Sequence, residues 1–279
     1  MKPVNFEYQR PRTLPDAIGL LAEADAQTKV IAGGQSLGPM LNMRLVQPEV
    51  IIDITAIDEL KQVERQQHHL VLGACVTHAD VEDGRVPDVT GGAMRQVASG
   101  IAYRAVRNRG TIGGSLTNAD PSADWISALA ALGAQVVLRG PRGARTLAVE
   151  DFMTGALETA LAADELLEAV RVPALSATAR WGYYKVCRKT GEYAHAIGAV
   201  LLDVPRGVCR AVVGATERRP LVLADAAPLF GGRKGDECLS SFDLAAADAM
   251  LDAIGMTDAI DRQIHTVALK RAVQQASRA

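Results

Sequence analysis

Two pairs of adjacent glycines constrain this chain more than any other feature. The first lies in Ala32-Gly33-Gly34-Gln35-Ser36-Leu37, directly after the strand-like run Lys29-Val30-Ile31. The second lies in Thr111-Ile112-Gly113-Gly114-Ser115-Leu116, followed by Thr117-Asn118-Ala119-Asp120-Pro121-Ser122-Ala123-Asp124-Trp125. Adjacent glycines permit positive φ and expose successive N–H groups, which form a concave nest for phosphate oxygens. Either pair alone reads equally well as a tight turn between packed elements. Two of the same spelling in one half of the chain predict a diphosphate held from both sides, and a diphosphate points to a dinucleotide.

The internal spacing decides against the commonest dinucleotide site. A nicotinamide-binding turn needs G-x-G-x-x-G, with an acidic residue about 20 residues on. Here Gly33-Gly34 are contiguous, and Gly38 does not restore the pattern. No Gly-Lys-Ser/Thr occurs, so a Walker-type phosphate loop is absent as well.

A length of 279 residues accommodates two domains. With a formal net charge of −2 there is no basic excess to displace counterions from a nucleic acid. The local cluster Arg104, Arg107 and Arg109 reads equally as solvated charge, a packing face or a ligand contact. The N-terminal residues lack a secretory pattern, and no stretch approaches the ~20 apolar residues that span a bilayer. The expected location is therefore cytoplasmic. Cys75, Cys187, Cys209 and Cys238 are scattered with no C-x-x-C pair, and His68, His69 and His78 lack further ligands at suitable spacing. No metal site is expected on this chain.

Periodicity predicts an amphipathic helix over Thr13 to Ala24 capped by Thr13, a strand at Lys29 to Ile31, a short helix over Gly38 to Leu45 and a buried strand at Val50 to Ile54. Next come a strand at Leu70 to Ala74, a short helix from His78 capped by Thr77, a helix over Gly92 to Ser99 and one from about Ser122 to Leu132. Strands follow at Ala134 to Leu138 and Leu166 to Val172. Ala174 to Ala179 reads as a linker. Beyond it, Trp181 to Val186, Ile197 to Asp203 and Cys209 to Ala215 predict an antiparallel meander. Helices from about Asp243 and over Ile260 to Gln275 complete an α+β chain.

The residues carry a family resemblance. A-G-G-Q-S-L after a short strand, then T-I-G-G-S-L-x-N-A-D-P-x-A-D, resembles the FAD-binding medium subunit of the molybdenum hydroxylases. That family includes the flavoprotein subunits of carbon monoxide dehydrogenase, xanthine dehydrogenase and bacterial N-heterocycle or aldehyde dehydrogenases. Phe6-Glu7-Tyr8-Gln9-Arg10-Pro11 and Tyr184-Lys185-Val186-Cys187-Arg188-Lys189-Thr190-Gly191-Glu192-Tyr193-Ala194 extend the match over most of the chain. The resemblance implies a bipartite FAD-binding domain of the p-cresol methylhydroxylase type over residues 1–175, with subdomains of about 1–55 and 56–175. A C-terminal domain over 176–279, an antiparallel sheet plus helical bundle, would follow.

It also implies roles for residues. Ala32, Gly33, Gly34, Gln35, Ser36 and Leu37 with Thr111, Ile112, Gly113, Gly114 and Ser115 would wrap the pyrophosphate and ribityl chain, Ser36, Thr111 and Ser115 adding hydroxyl donors. Asp124 matches the family aspartate on the ribityl hydroxyls, although a carboxylate at a helix N-terminus is the plainer reading. Asp120 is similar. Leu167 matches a flavin-lining position and reads equally as core. Lys185 matches a lysine near the flavin, where a cation stabilises the reduced ring, and Tyr193 an aromatic covering one flavin face. Gln35 and Ser115 depart from the commoner His and Asn. His195 invites covalent attachment, but the matching branch implies non-covalent FAD.

The function so implied is electron transfer. A large molybdopterin subunit would hydroxylate substrate, a small subunit with [2Fe–2S] clusters would pass the electrons on, and this FAD would deliver them to NAD, a quinone or oxygen. The assembly would be a dimer of heterotrimers. No catalytic residue is expected on this chain. The alternatives are a self-sufficient flavoenzyme of the same superfamily and a non-catalytic module with degenerate loops.

Overall fold

Parallel strand pairing organises the N-terminal segment. In the computed structural model, which describes residues 2–24, 27–233 and 235–278, strands β1 (Glu7–Gln9), β2 (Thr28–Ile31) and β3 (Val50–Asp53) form a parallel sheet of order β1-β3-β2. Helix α1 (Leu14–Ala22) begins at Thr13, whose hydroxyl accepts the Asp16 amide at 3.2 Å, and it buries Leu14, Ala17 and Leu21. Helix α2 (Leu37–Asn42) leads away from the first glycine pair. These elements share a small core of Leu14, Ala17, Leu21, Ile52, Ile54, Ile57 and Leu60.

The middle of the chain is antiparallel. Strands β4 (Val63–Arg65) and β5 (His69–Gly73) are followed by helices α3 (His78–Glu82), α4 (Ala93–Ser99), α5 (Arg104–Arg107), α6 (Ile112–Asn118) and α7 (Asp124–Leu132). Then come β6 (Gln135–Gly140), β7 (Gly143–Ala148), the short α8 (Val149–Phe152), the small pair β8 (Met153–Gly155) and β9 (Glu158–Thr159), and β10 (Leu166–Pro173). The sheet order is β4-β5-β10-β6-β7. Thr77 caps α3 with a reciprocal capping box, its hydroxyl accepting the Asp80 amide while Asp80 accepts the Thr77 amide.

The C-terminal sheet is β11 (Arg180–Val186), β12 (Ala196–Asp203), β13 (Val208–Gly214) and β14 (Leu221–Leu223), antiparallel and in sequential order. Helices α9 (Leu244–Ala253) and α10 (Ala259–Ala276) cover one face. Helix α10 sits directly on glycine backbone: a Cβ on Gly182 would lie 1.8 Å from the Ala272 carbonyl oxygen, and one on Gly198 2.6 Å from Ala268. The other face receives α7, and all nine of its residues are buried. A helix covered on every side needs packing from two layers. The largest core accordingly runs from Leu70, Trp125 and Leu129 through to Trp181, Ile197 and Val212.

Two expectations change. The second glycine pair does not lie in a loop ahead of a single helix, because Thr111 caps α6, which contains both glycines, and α7 follows separately. The Ala174 to Ala179 stretch is tied down rather than free. Ala174 and Leu175 donate to the carbonyls of His68 and Val89, and both the amide and hydroxyl of Ser176 donate to buried Asp203.

Candidate functional site

The first glycine pair makes the expected donor-rich turn. Gly34 has φ +71°, the left-handed conformation that a side chain disfavours. The backbone amides of Gly33, Gly34, Gln35 and Ser36 donate to no protein acceptor among the described residues. Ser36 occupies the N-cap of α2 without using its hydroxyl as a cap. The Gln35 side chain folds back to donate to the Gly33 carbonyl at 3.0 Å. Four consecutive amides and a hydroxyl on an accessible turn are the donor set an anion with several oxygens requires.

The second pair is built differently. Gly113 and Gly114 are helical, so no positive-φ nest forms there. Their amides are also spoken for. Ile112 donates to Val76, Gly113 to Ala74, Gly114 to the Thr111 hydroxyl at 3.0 Å and Ser115 to the Thr111 carbonyl. Glycine is required by close approach: a Cβ on Gly113 would stand 2.5 Å from the Ala74 side chain and 2.7 Å from its carbonyl oxygen. The segment before it braces the first turn directly, since a Cβ on Gly33 would lie 2.0 Å from the Arg109 carbonyl oxygen. The two motifs therefore meet in space.

A cavity of about 620 Å³ opens on this seam, with Gly33, Arg109 and Thr111 in its wall beside Arg10, Lys61 and Arg85. Arg10 pairs with Asp53 at 3.4 Å, Lys61 with Asp58 at 2.9 Å and Arg85 with Asp80 at 2.7 Å. The arginine cluster divides by role. Arg107 makes a two-pronged bond to Glu82 at 2.7 and 2.8 Å and donates to the carbonyls of Ile101 and Ala102. Arg104 joins Glu82 and Asp83. Arg107 thus fixes the turn at Ile101 and Ala102, while Arg104 ties α5 to the end of α3.

A second group of polar residues gathers where α7 meets β11. Asp124 opens α7 and is buried, accepting the Tyr183 hydroxyl at 2.7 Å and the Lys185 ammonium at 2.9 Å. Lys185 also donates to the Gly100 carbonyl at 2.8 Å. Burial raises the Asp124 carboxyl above its ordinary pKa, outweighing the opposing pull of Lys185 and Tyr183. Burial, then the Asp124 charge, pushes the Tyr183 phenol well up. On the hairpin between β11 and β12, Tyr193 is 66% exposed. Loss of solvent around its hydroxyl, followed by the Asp120 charge, raises its phenol and places those two residues in one electrostatic neighbourhood. The Tyr103 ring lies against Gly191 of the same hairpin.

The structure thus joins Ala32 through Leu37 to Thr111 through Ser115, and Asp124 to Lys185. Leu167 is apart from both groups in character: it is 3% exposed and packs in the main core, next to a bulge in the pairing of β10 with β6. Sequence reading missed Tyr183, although its i, i+2 spacing from Lys185 on a strand places both on one sheet face. It also missed His78, which accepts the Trp125 indole N–H at 3.0 Å from beneath Gly110. Burial and the nearby Arg107 charge lower that imidazole to about 4, so it is neutral at pH 7. An aromatic immediately after Asp124 gave no signal of that bond.

The chain thus presents an amide-lined turn suited to an anion, braced by a second glycine motif, and a separate cluster of Asp124, Lys185 and Tyr183. The family model for the FAD binding domain in molybdopterin dehydrogenase matches residues 4–175, and the chain belongs to that family. The carbon monoxide dehydrogenase medium chain of Afipia carboxidovorans is 34% identical, covering 99% of this chain and 98% of the relative. The caffeine dehydrogenase subunit beta of Pseudomonas sp. (strain CBB1) is 39% identical over 72% of this chain and 69% of its own length. Among solved structures, a carbon monoxide dehydrogenase from Hydrogenophaga pseudoflava superposes with TM-score 0.87 at 34% identity, covering 99% of this chain and 98% of the other. Quinoline 2-oxidoreductase from Pseudomonas putida 86 superposes with TM-score 0.85 at 31% identity, covering 100% and 99%. The chain is an FAD-binding flavoprotein subunit of the molybdenum hydroxylase type, and its class of chemistry is oxidoreduction.

Proposed function

We propose that this subunit carries electrons between a partner's [2Fe–2S] clusters and an external acceptor, with substrate hydroxylated on a separate molybdopterin subunit. The supporting observation is the set of unspent amides at Gly33, Gly34, Gln35 and Ser36, on a turn packed against the Arg109 backbone at Gly33. Bound non-covalently, FAD supplies the exchange between two-electron and one-electron steps that such a relay needs. Residues 1–175 form the bipartite p-cresol methylhydroxylase-type domain in this reading, and 176–279 the C-terminal domain.

The residues of this chain bind and orient. The four amides and the Ser36 hydroxyl hold the diphosphate, with Ala32 and Leu37 setting the ends of the turn. Ile112, Gly113, Gly114 and Ser115 bring Thr111 to the same anion, and its hydroxyl hydrogen remains available while the oxygen accepts from Gly114. Asp124 retains lone pairs for ribityl hydroxyls beyond those used by Tyr183 and Lys185. Lys185 places a cation beside the ring, Tyr193 covers one face, and Asp120 and Leu167 border the pocket. In this reading the assembly is a dimer of heterotrimers in the cytoplasm, and its acceptor is one of NAD, a quinone or oxygen. The substrate of the assembly is one of carbon monoxide, an aldehyde, a purine or an N-heterocycle, chosen on the partner subunit.

The donor turn is tested by FAD affinity of the full chain in the complex it assembles into. Ser36→Ala removes one hydrogen bond and is expected to weaken FAD about five- to tenfold. Gly33→Val drives a side chain into the Arg109 carbonyl and is expected to abolish retention. Unchanged affinity in both variants would contradict the assignment.

A further inference from the structure

Two thiols lie against each other in the C-terminal sheet, remote in sequence from every residue assigned above. Cys209 on β13 and Cys238 on the 3-10 turn Gly235–Ser240 are 29 residues apart, and their sulfurs are 3.3 Å apart. Both are free. The pairing is held by the fold: the Cys209 carbonyl accepts the Ala226 amide, and Cys209 bridges to Asp225. Cys238 is fully buried in the core under α9 and α10, among residues that include Phe230 and Leu239. Among the described residues no group of three or more ligating side chains surrounds them, which leaves sulfur–sulfur chemistry rather than metal binding.

We propose that Cys209 and Cys238 are an intramolecular redox pair that closes to a disulfide under a peroxide. An S–S bond of ~2.05 Å needs the sulfurs to approach by roughly 1 Å from their 3.3 Å separation. Exposure sets the order of events. Cys209 is only half-buried, so it meets the oxidant first. Its thiolate attacks one peroxide oxygen, the O–O bond breaks, and a sulfenic acid and water result. Cys238, shielded from solvent, then attacks the sulfenic sulfur and expels a second water. In sum, two thiols and one hydrogen peroxide give one disulfide and two waters. Burial raises both thiols, Cys238 to about 12, so little thiolate forms at neutral pH and closure is slow. Closure would staple the turn beneath α9 to the central strand β13.

The test treats the full folded chain with hydrogen peroxide, then unfolds it and titrates thiols with Ellman's reagent. The titre should fall from four to two and return on reduction. Peptide mapping should find Cys209 joined to Cys238. Cys209→Ser should abolish the cross-link. Because a change in this core can perturb folding, Cys75→Ala/Cys187→Ala gives the complementary variant: it keeps the pair, and its two thiols should fall to none. A titre that stays at four, a disulfide mapped to other cysteines, or cross-links only between chains would overturn the proposal.

Discussion

His78 shows how one buried residue ties the site to stability. Its imidazole lies at about 4 in the fold against an ordinary 6.5. Between those values the unfolded chain binds a proton that the folded chain does not, so stability rises with pH across the window and is lost as pH falls from 6.5 towards 4. The shift corresponds to about 3 kcal/mol. Urea unfolding between pH 4 and 7 should show this slope, and His78→Gln should remove that part of it; an identical slope in the variant would exclude His78 as its source. The Asp124–Lys185 pair gives a second test. Asp124 is buried and the Lys185 side chain is 14% exposed, so Lys185→Met leaves a buried carboxylate without its cation and should cost about 3 kcal/mol. Adding Asp124→Asn should recover much of that loss. Equal unfolding midpoints for single and double variants would contradict the coupling.

At the scale of elements, the second glycine motif carries the main lesson. Thr111 caps α6 through the Gly114 amide, and Thr111→Ala should lower unfolding free energy by about 1 kcal/mol. A denaturation midpoint unchanged from the parent would deny the cap any weight. The sequence showed Gly113-Gly114 and invited a turn, since glycine costs about 1 kcal/mol per position in a helix. Tertiary contact overrides that preference: α6 must pass Ala74 closely, and a side chain at Gly113 would not fit. Strands β1 and β7 were equally hard to read. Strand β1 has three residues, and four of the six residues of β7 are exposed, so neither shows an apolar alternation. Strand β12, buried along its full length, was plain as a continuous apolar run. The first glycine turn was legible because conformation and donor set both reside in its own backbone. The Tyr183–Asp124 bond was not, because it joins residues that only the packing of α7 on β11 brings together.

Across the whole molecule, packing continues past the boundary expected near residue 175. Helix α7 belongs in sequence to the first part and is buried against β12 and β13 of the second. Expressed alone, residues 1–175 would expose that face, so aggregation or loss of cooperative unfolding is expected. A soluble, monomeric fragment with a sharp transition would show the first part to be self-sufficient. The α10 seat on the sheet gives a matching test in the other half. Gly198→Ala should destabilise by about 1–3 kcal/mol by pushing the helix off β12, and an unchanged melting temperature would contradict that close approach.

The central claim is that this chain holds FAD without a covalent bond and serves a larger redox assembly. The most direct measurement is the flavin content of the full chain isolated together with whatever chains accompany it. Stoichiometric FAD, released intact by denaturation, alongside chains that carry molybdenum and iron, is the expected result. A colourless preparation that takes up no added FAD in either the isolated or the assembled state would contradict it.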